Sequence, residues 1–432
     1  MTFNIALVGC GGMGLRHAHG YVELVKTFGA SGAPGVGPVE MIAVCDRHRG
    51  PAEKVAALIE QGTGKRPQIF LDFDEMLRDL KSLDAVDIVT DTPMHHRFAI
   101  TAMEAGLHAM TEKPMGLTLK ACRMMRDVAE RTGKVIAVAE NYRRDPVNRL
   151  SRALLDSGAI GKPYFALDVA LSSARGGVMH GTVWRAKRDQ AGGTVLDAGV
   201  HNADMLLYLM GPATSVYAET ATFERQRELR GMEAQSPQLA EFYGHRVETG
   251  GQKGDMIEHD AADTAFAVVR FASGAIGQLS LSDTSHGERV GQSSVHGSEG
   301  TLIRTPSRSG RPAEIRREGG ETISGDDLLA LVPGFSLDDV TAGLWGKDRL
   351  GSYNLDFRQT DRKIVAIEYA DFARAAVSGG QPEVGSREGM DALALAYGVM
   401  ESGEASRRVK LEDVVSGAVS GFQDDIDRTM RI

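Results

Sequence analysis

Short apolar runs alternate with stretches of helical periodicity along the first third of the chain. The runs are typical of buried strands and lie at Asn4–Val8, Val39–Cys45, Ala85–Thr90, Ala109–Thr111 and Val135–Ala139. Between them, apolar residues three or four positions apart predict helices over Met13–Thr27, Phe73–Lys81, His96–Ala105 and Thr118–Arg131. Strict alternation of strand and helix indicates βαβ units, so residues 1–142 are predicted to form an α/β domain on a parallel sheet.

The pattern changes after Asn141. A helix is predicted over Pro146–Asp156, and the strands beyond it alternate apolar with polar residues. Two of these strands, Thr264–Phe271 and Ala275–Ser282, meet at Ala272-Ser273-Gly274, which is a hairpin signal. Strands with one buried face predict an α+β domain over residues 143–432, with a large, mostly antiparallel, open sheet.

Four segments lie outside the main alternation. The Gly- and Pro-rich residues 29–38 are predicted to form a loop, and the polar, Gly-rich stretch at about 225–260 is predicted to be a long surface insertion. Near the end of the chain, Ile364–Val377 and Arg387–Glu401 are predicted to be closing helices. We expect these last helices to pack back on the first domain.

The composition is that of an ordinary globular enzyme, with 42% hydrophobic and 25% charged residues. A formal net charge of −9 disfavours a nucleic-acid partner, because phosphate binding needs a basic surface. No apolar run approaches the roughly 20 residues of a membrane span, so we expect a cytoplasmic protein with no membrane partner. None of the three cysteines forms a Cys-x-x-Cys pair and no third ligand accompanies His95 and His96, so no metal site is predicted.

A glycine loop directly follows the first strand. Gly9, Gly11 and Gly14 form a G-x-G-x-x-G pattern, with Gly12 and Met13 inside it, at the start of a helix. Such a loop lets backbone N–H groups approach a pyrophosphate and predicts the dinucleotide site of a Rossmann domain. Asp46 ends the second strand, where an acid hydrogen-bonds the adenosine ribose and repels a 2′-phosphate, so NAD is favoured. The following Arg47–Arg49 could hold that phosphate, which leaves NADP possible.

Two further motifs carry candidate chemistry. Lys113 stands between Glu112 and Pro114, after a buried strand, where an amine can stabilise a developing negative charge. Asp197 and His201 are four positions apart at a predicted helix start, so the carboxylate is expected to orient a histidine that accepts a hydroxyl proton. An aromatic residue beside a guanidinium suits a polyhydroxylated ring, and this pair is Trp184-Arg185.

These motifs, in this order, resemble the glucose–fructose oxidoreductase, inositol dehydrogenase and rhizopine-catabolism family, called Gfo/Idh/MocA. The matching segments are the glycine loop, Asp46, Thr92-Pro93 with His95, Glu104 to His108, Glu112-Lys113-Pro114, Asn141 to Pro146, Ser157 to Pro163, Trp184-Arg185, Gly192 to His201 and Gly297 to Thr301. The resemblance implies a Rossmann domain, a second domain with a large open sheet, and a homodimer or homotetramer formed through that sheet. Because the segment after Thr92 is two residues short, either His95 or His96 could take the family position.

The resemblance also implies residue roles. His201 would be the acid/base, Lys113 would polarise the reacting oxygen, and Asp197 would assist. The cofactor would be lined by the glycine loop with Asp46, Arg47, Thr92, Pro93, His95, Glu112, Lys113 and Asn141. The substrate would be approached by Tyr142, Arg143, Trp184, Arg185, Asp197 and His201.

The resulting hypothesis is an NAD-dependent dehydrogenase that oxidises a ring hydroxyl of a sugar, glycoside or cyclitol. One alternative is a redox-neutral enzyme that recycles tightly bound NAD, either a sugar oxidoreductase or an enzyme that cleaves glycosides through a keto sugar. Another is a non-catalytic, nucleotide-sensing binding protein. That last reading predicts loss of the lysine or the histidine, yet Lys113 and His201 are both present.

Overall fold

The computed structural model describes residues 2–173, 181–230, 237–243 and 251–432. Its first sheet has six parallel strands: β1 Phe3–Val8, β2 Val39–Cys45, β3 Gln68–Phe70, β4 Ala85–Ile88, β5 His108–Glu112 and β6 Ile136–Ala139. Their spatial order is β3-β2-β1-β4-β5-β6, the doubly wound arrangement of a Rossmann fold. The predicted parallel α/β architecture is confirmed.

Helices cover both faces of this sheet. They are α1 Gly12–Phe28, α2 Arg49–Thr63, α3 Phe73–Asp79, α4 His95–Glu104 and α5 Leu119–Thr132. The start of α5 shows how sequence sets these boundaries, because the Thr118 hydroxyl accepts a hydrogen bond from the Ala121 N–H and caps the helix. Helix α2 and strand β3 lie in a stretch where the sequence pattern predicted no element.

The second sheet has nine strands in the order β16-β15-β14-β13-β7-β12-β11-β8-β17. Its strands are β7 Pro163–Leu171, β8 Ala213–Ala221, β11 Thr264–Phe271, β12 Ile276–Ser282, β13 Val290–Gly297, β14 Thr301–Arg304, β15 Glu314–Arg316, β16 Thr322–Ser324 and β17 Val409–Lys410. Only β7 and β12 pair in parallel within it, so the predicted mostly antiparallel sheet is confirmed.

The remaining helices pack beside the second sheet or reach back to the first. They are α6 Pro146–Asp156, α7 Gly199–Met210, α8 Pro237–Tyr243, α9 Asp339–Trp345, α10 Phe357–Ser378, α11 Ser386–Ala405, α12 Leu411–Ser416 and α13 Gly421–Met430. Helix α10 packs so closely on α1 that a Cβ on Gly20 would lie 2.4 Å from Val365 Cγ1. Helix α11 contacts β8, α7 and α5, so the closing helices touch elements of both sheets.

The polar stretch from 225 to 260 is more ordered than a surface loop. Its described part holds β9 Gln226–Glu228, paired antiparallel with β10 Met256–Glu258, and helix α8. The predicted surface insertion is not entirely exposed, because Arg227 and Phe242 are buried, the latter edge-on to His19 of α1. Residues 231–236 and 244–250, on which the same prediction falls, lie outside the described residues.

None of the helices in the described part of the chain combines the length and the hydropathy that crossing a bilayer requires.

Candidate active site

The glycine loop joins β1 to α1 in a turn that side chains would block. Gly9 has a φ of 100°, and a Cβ there would lie 2.5 Å from the Val89 carbonyl oxygen. A Cβ on Gly14 would lie 2.0 Å from the Gly9 carbonyl oxygen, so the helix packs tightly on the strand. Around Gly11, by contrast, the described residues leave open space within 4 Å of the Cβ position. A ligand can therefore approach the backbone N–H groups that begin α1.

Asp46 ties the end of β2 to this loop. Its carboxylate accepts hydrogen bonds from the backbone N–H groups of Cys10 and His48, each at 2.8 Å. The side chain is half-buried and lines the cleft beside exposed Arg47. In addition to its predicted hydrogen bond with a ribose, Asp46 therefore stabilises the glycine loop through Cys10.

One cleft of about 890 Å³ extends from the glycine loop to Trp184, Arg185 and His201, which precede the second sheet's strand β8 in the chain. Fifteen of the predicted site residues line it: Gly9, Gly11, Gly12, Met13, Asp46, Arg47, Thr92, His95, Glu112, Lys113, Asn141, Trp184, Arg185, Asp197 and His201. Residues separated by up to nearly two hundred positions therefore meet in one space, at the carboxyl ends of the parallel strands.

Four predicted residues do not line the cleft. Gly14 lies in the contact between strand and helix, and Pro93 lies in the short turn Thr92–Met94. Arg143 is engaged outside the cleft, because its guanidinium donates to the buried carboxylate of Asp204 and lies over the Tyr208 ring, 5.0 Å from its centre. The geometry therefore does not support its predicted contact with the substrate. Tyr142 lies behind His201, and the two rings stack with centroids 4.1 Å apart.

His95 supports the turn that carries Lys113. Its two ring nitrogens each lie 3.1 Å from a carbonyl oxygen, one of Pro114 and one of Thr90. The ring links the loops after β4 and β5, and it lines the cleft, whereas His96 does not. Of the two histidines left open by the sequence, His95 is therefore the one in the cleft. The Lys113–Pro114 peptide bond is cis.

Asp197 holds two cations at the inner end of the cleft. Lys113 Nζ donates to its carbonyl oxygen at 2.6 Å and to Oδ1 at 3.1 Å, while Arg185 Nε donates to Oδ2 at 2.7 Å. Burial opposes ionisation of this carboxyl, yet the two cations hold its pKa well below the ordinary value. Burial likewise disfavours the charged lysine, yet the carboxylates of Asp197 and Glu112 raise the pKa of Lys113. The lysine therefore stays a protonated donor.

His201 is oriented by Glu140 rather than by Asp197. Its Nδ1 lies 2.7 Å from Glu140 Oε1, and the Glu140 carboxylate is 3% exposed. The prediction that Asp197 orients the imidazole is wrong, because Thr194–Ala198 winds more widely than an α-helix and the regular helix begins only at Gly199. Burial is the main effect that lowers the pKa of His201. The positive charge of Lys113 lowers this pKa further, while the Glu140 carboxylate raises it. The imidazole is therefore neutral at neutral pH.

Sequence reasoning missed three residues of the site. Glu140 had a usable signal, since an acid directly after β6 stands at the edge where α/β sheets bind ligands. Tyr243 comes from α8, and its ring covers the glycine loop so closely that a Cβ on Gly12 would lie 2.1 Å from it. Arg308 reaches the cleft from the loop after β14. For these two, no local pattern gave a signal.

Two family models match the chain. One, described as "Oxidoreductase family, NAD-binding Rossmann fold", covers residues 3–140, and one for the GFO/IDH/MocA C-terminal domain covers residues 149–303. Levoglucosan dehydrogenase of Pseudarthrobacter phenanthrenivorans is 27% identical over 403 residues, 93% of this chain and 96% of the relative. Myo-inositol 2-dehydrogenase of Thermotoga maritima is 25% identical over 349 residues, 80% of this chain and 85% of the relative.

Solved structures share the fold. A levoglucosan dehydrogenase in complex with NADH and levoglucosan superposes with a TM-score of 0.73 at 24% sequence identity. The match covers 95% of this chain and 100% of that chain. The chain therefore shares its fold with an experimental structure over nearly its whole length.

Proposed function

Because the chain belongs to the GFO/IDH/MocA family of NAD-binding oxidoreductases, we propose that it oxidises a ring hydroxyl of a sugar, glycoside or cyclitol. Two relatives, a levoglucosan dehydrogenase and a myo-inositol 2-dehydrogenase, support this substrate class. The observation that carries the proposal is the convergence of Lys113 and His201 in the cleft that the glycine loop opens.

The residues of the cleft fit NAD. Gly11 presents open backbone at the N-terminus of α1 for the pyrophosphate, and Asp46 stands at the end of β2 for the ribose. At the far end, Asn141 Oδ1 is buried without a hydrogen-bond partner among the described residues, as an acceptor awaiting a ligand would be. When bound, NAD supplies the acceptor for the hydride.

His201 serves as the base. Nδ1 donates its proton to Glu140, so Nε2 is left as the acceptor for the proton of the substrate hydroxyl. The lowered pKa keeps the ring neutral and ready for that proton.

Lys113 stabilises the oxygen from which the proton leaves. An ammonium has three donors, and two of them are directed at Asp197, which leaves one for the substrate oxygen. Asp197 also fixes Arg185, whose guanidinium lies 4.2 Å from the centre of the Trp184 ring and forms a wall for the sugar.

A panel of sugars, glycosides and inositols, assayed for NADH absorbance, tests this proposal. We expect stoichiometric NADH with at least one member, and we expect Lys113→Ala or His201→Ala to abolish turnover while NAD still binds. Lys65→Ala, on an exposed lysine paired with Glu40, serves as the control. Retention of most activity in either cleft variant would refute the residue assignment. Conversion of a sugar without NADH release would instead favour the alternative in which NAD is recycled.

A further inference from the structure

Arg308 is held in an unusual backbone conformation beside the cleft. Its φ is 64°, in the left-handed region that residues other than glycine rarely adopt. Neighbouring contacts impose this conformation: the Arg308 N–H donates to Asp145 Oδ2 at 2.5 Å, and Asn148 Nδ2 donates to Ser307 Oγ at 2.8 Å. A strained residue that its surroundings hold in place is a candidate for function.

This backbone conformation places the Arg308 guanidinium on the side of the cleft where His201, the proposed base, lies. The guanidinium carbon lies 5.0 Å from the centre of the Tyr142 ring and 5.1 Å from that of Phe357. Tyr142 in turn stacks on His201. Arg308 and His201 therefore both contact the Tyr142 ring, and both line the same cleft.

The guanidinium of Arg308 shares its carboxylate partner with a second arginine. Its Nη1 donates to Asp361 Oδ1 at 3.1 Å, but Asp361 already receives both Nε and Nη2 of Arg16. Two guanidinium groups thus share one carboxylate, whose pKa they hold below the ordinary value against the effect of burial. The other contact of Arg308 is a 3.4 Å hydrogen bond from Nη2 to the Tyr142 hydroxyl. Of five N–H donors, several remain for a ligand.

We infer that Arg308 binds a carboxylate of the substrate, so that the enzyme acts on sugar acids such as uronates and their glycosides. This inference rests on the proposed function and specifies its substrate class. A planar, preoriented guanidinium matches a carboxylate in a two-bond arrangement. A single guanidinium carries one charge, which matches a monoanion better than the dianion of a sugar phosphate.

Matched pairs of neutral and acidic sugars test the inference. Methyl glucoside with methyl glucuronoside, and galactose with galacturonate, would be compared by kcat/KM for NADH formation and by calorimetric binding to the NADH-loaded enzyme. We expect the acid to be preferred, and Arg308→Gln to reduce this preference about 10- to 100-fold. Arg308→Asn should do the same with an intact loop, because asparagine tolerates the left-handed conformation. Arg311→Gln, on an exposed arginine of the same loop, is the matched control.

The outcomes separate the two proposals. Oxidation of neutral members with no preference for acids overturns the carboxylate assignment and leaves the dehydrogenase proposal standing. Arg308-dependent binding of the acids without NADH formation supports the assignment and overturns the dehydrogenase proposal. If both Arg308 variants weaken NADH binding and leave the acid preference intact, Arg308 recognises the cofactor, and the inference is wrong. A preference for sugar phosphates over carboxylates also overturns it.

Discussion

At the scale of single residues, His201 depends on one buried carboxylate for both its orientation and its charge state. Glu140 raises the pKa of His201 against the larger, opposite effect of burial. We therefore expect Glu140→Gln to lower that pKa further. Because the base must be unprotonated, the acidic limb of the kcat/KM profile should move to lower pH. Loss of control over the tautomer should also reduce kcat by about tenfold or more.

Profiles of rate against pH for the parent and the variant measure this effect. Glu318→Gln, on an exposed glutamate, is the control for the chemical change. An acidic limb that stays in place or moves to higher pH in Glu140→Gln would show that Glu140 does not set the charge state of His201.

Asp46 gives a second prediction at this scale, on cofactor choice. A carboxylate at the ribose attracts hydroxyl donors and repels a 2′-phosphate. Asp46→Ala should therefore weaken NAD more than NADP, with some loss for both because the variant also loses the brace to Cys10. Titration of intrinsic fluorescence with each nucleotide measures the two affinities. Tighter binding of NADP than of NAD by the parent protein would contradict the choice of cofactor.

The site residues that sequence could predict are those whose chemistry is tied to a local pattern. The glycine loop and Lys113 follow strands directly, so a short motif specifies both the turn and the direction of the side chain. Glu140 and Arg308 act through partners 61 and 166 positions away, His201 and Tyr142, and no spacing encodes such pairs. Their positions depend on the packing of the two sheets.

At the scale of elements, helix α10, which packs on α1 and contacts β6, carries a buried carboxylate. Glu368 is 1% exposed, and neither of its oxygens makes a hydrogen bond with a described residue. Burial raises its pKa from 4.5 to about 8, with the Arg144 guanidinium 3.9 Å away opposing this. The unfolded chain releases this proton near the ordinary pKa, while the folded chain keeps it up to about pH 8. Rising pH across this window therefore reduces stability.

Glu368→Gln removes the titration and should stabilise the fold in the upper part of this window. The free energy of unfolding of the variant should exceed that of the parent by a margin that widens by about 1 kcal/mol or more from about pH 5 to about pH 8. Urea unfolding at several pH values measures this margin, and Glu318→Gln again provides the control. A margin that does not change with pH would mean that Glu368 is ionised in the folded state.

The elements show where hydrophobic pattern suffices. The predicted bounds of β2, α6 and β11 agree with the structure, because polar, Gly or Pro residues mark where each of them begins or ends. Strand β3 has three residues, too few to show a period. Thr194–Ala198 winds as a π-helix, although the sequence pattern predicts an α-helix. The four-residue spacing of Asp197 and His201 therefore does not bring their side chains together as one α-helical turn would. Local periodicity specifies the presence of an element better than its winding.

At the scale of the whole molecule, one face of the nine-stranded sheet carries exposed apolar side chains that no described residue covers. They lie on neighbouring strands and are Tyr217 38%, Val268 44%, Phe266 51%, Ile276 39% and Phe165 41%. Exposed Glu219, Arg270 and Gln278 lie among them in the register. The opposite face packs on α11 and α7. A cluster of exposed apolar side chains with a few polar ones among them is typical of an interface between protein chains. We therefore propose that the face pairs with a second copy, as the predicted homodimer or homotetramer requires.

Light scattering of the purified protein tests this assembly. We expect the mass of two or four chains for the parent and a single chain for Phe266→Asp, because a two-fold interface would bring each new charge against the partner's apolar face twice. Phe223→Asp is the matched control, since Phe223 is 70% exposed but lies outside the sheet. Dissociation by Phe223→Asp and not by Phe266→Asp would place the interface elsewhere. A single chain in the parent at all concentrations would mean that the sheet face has no partner of its own kind.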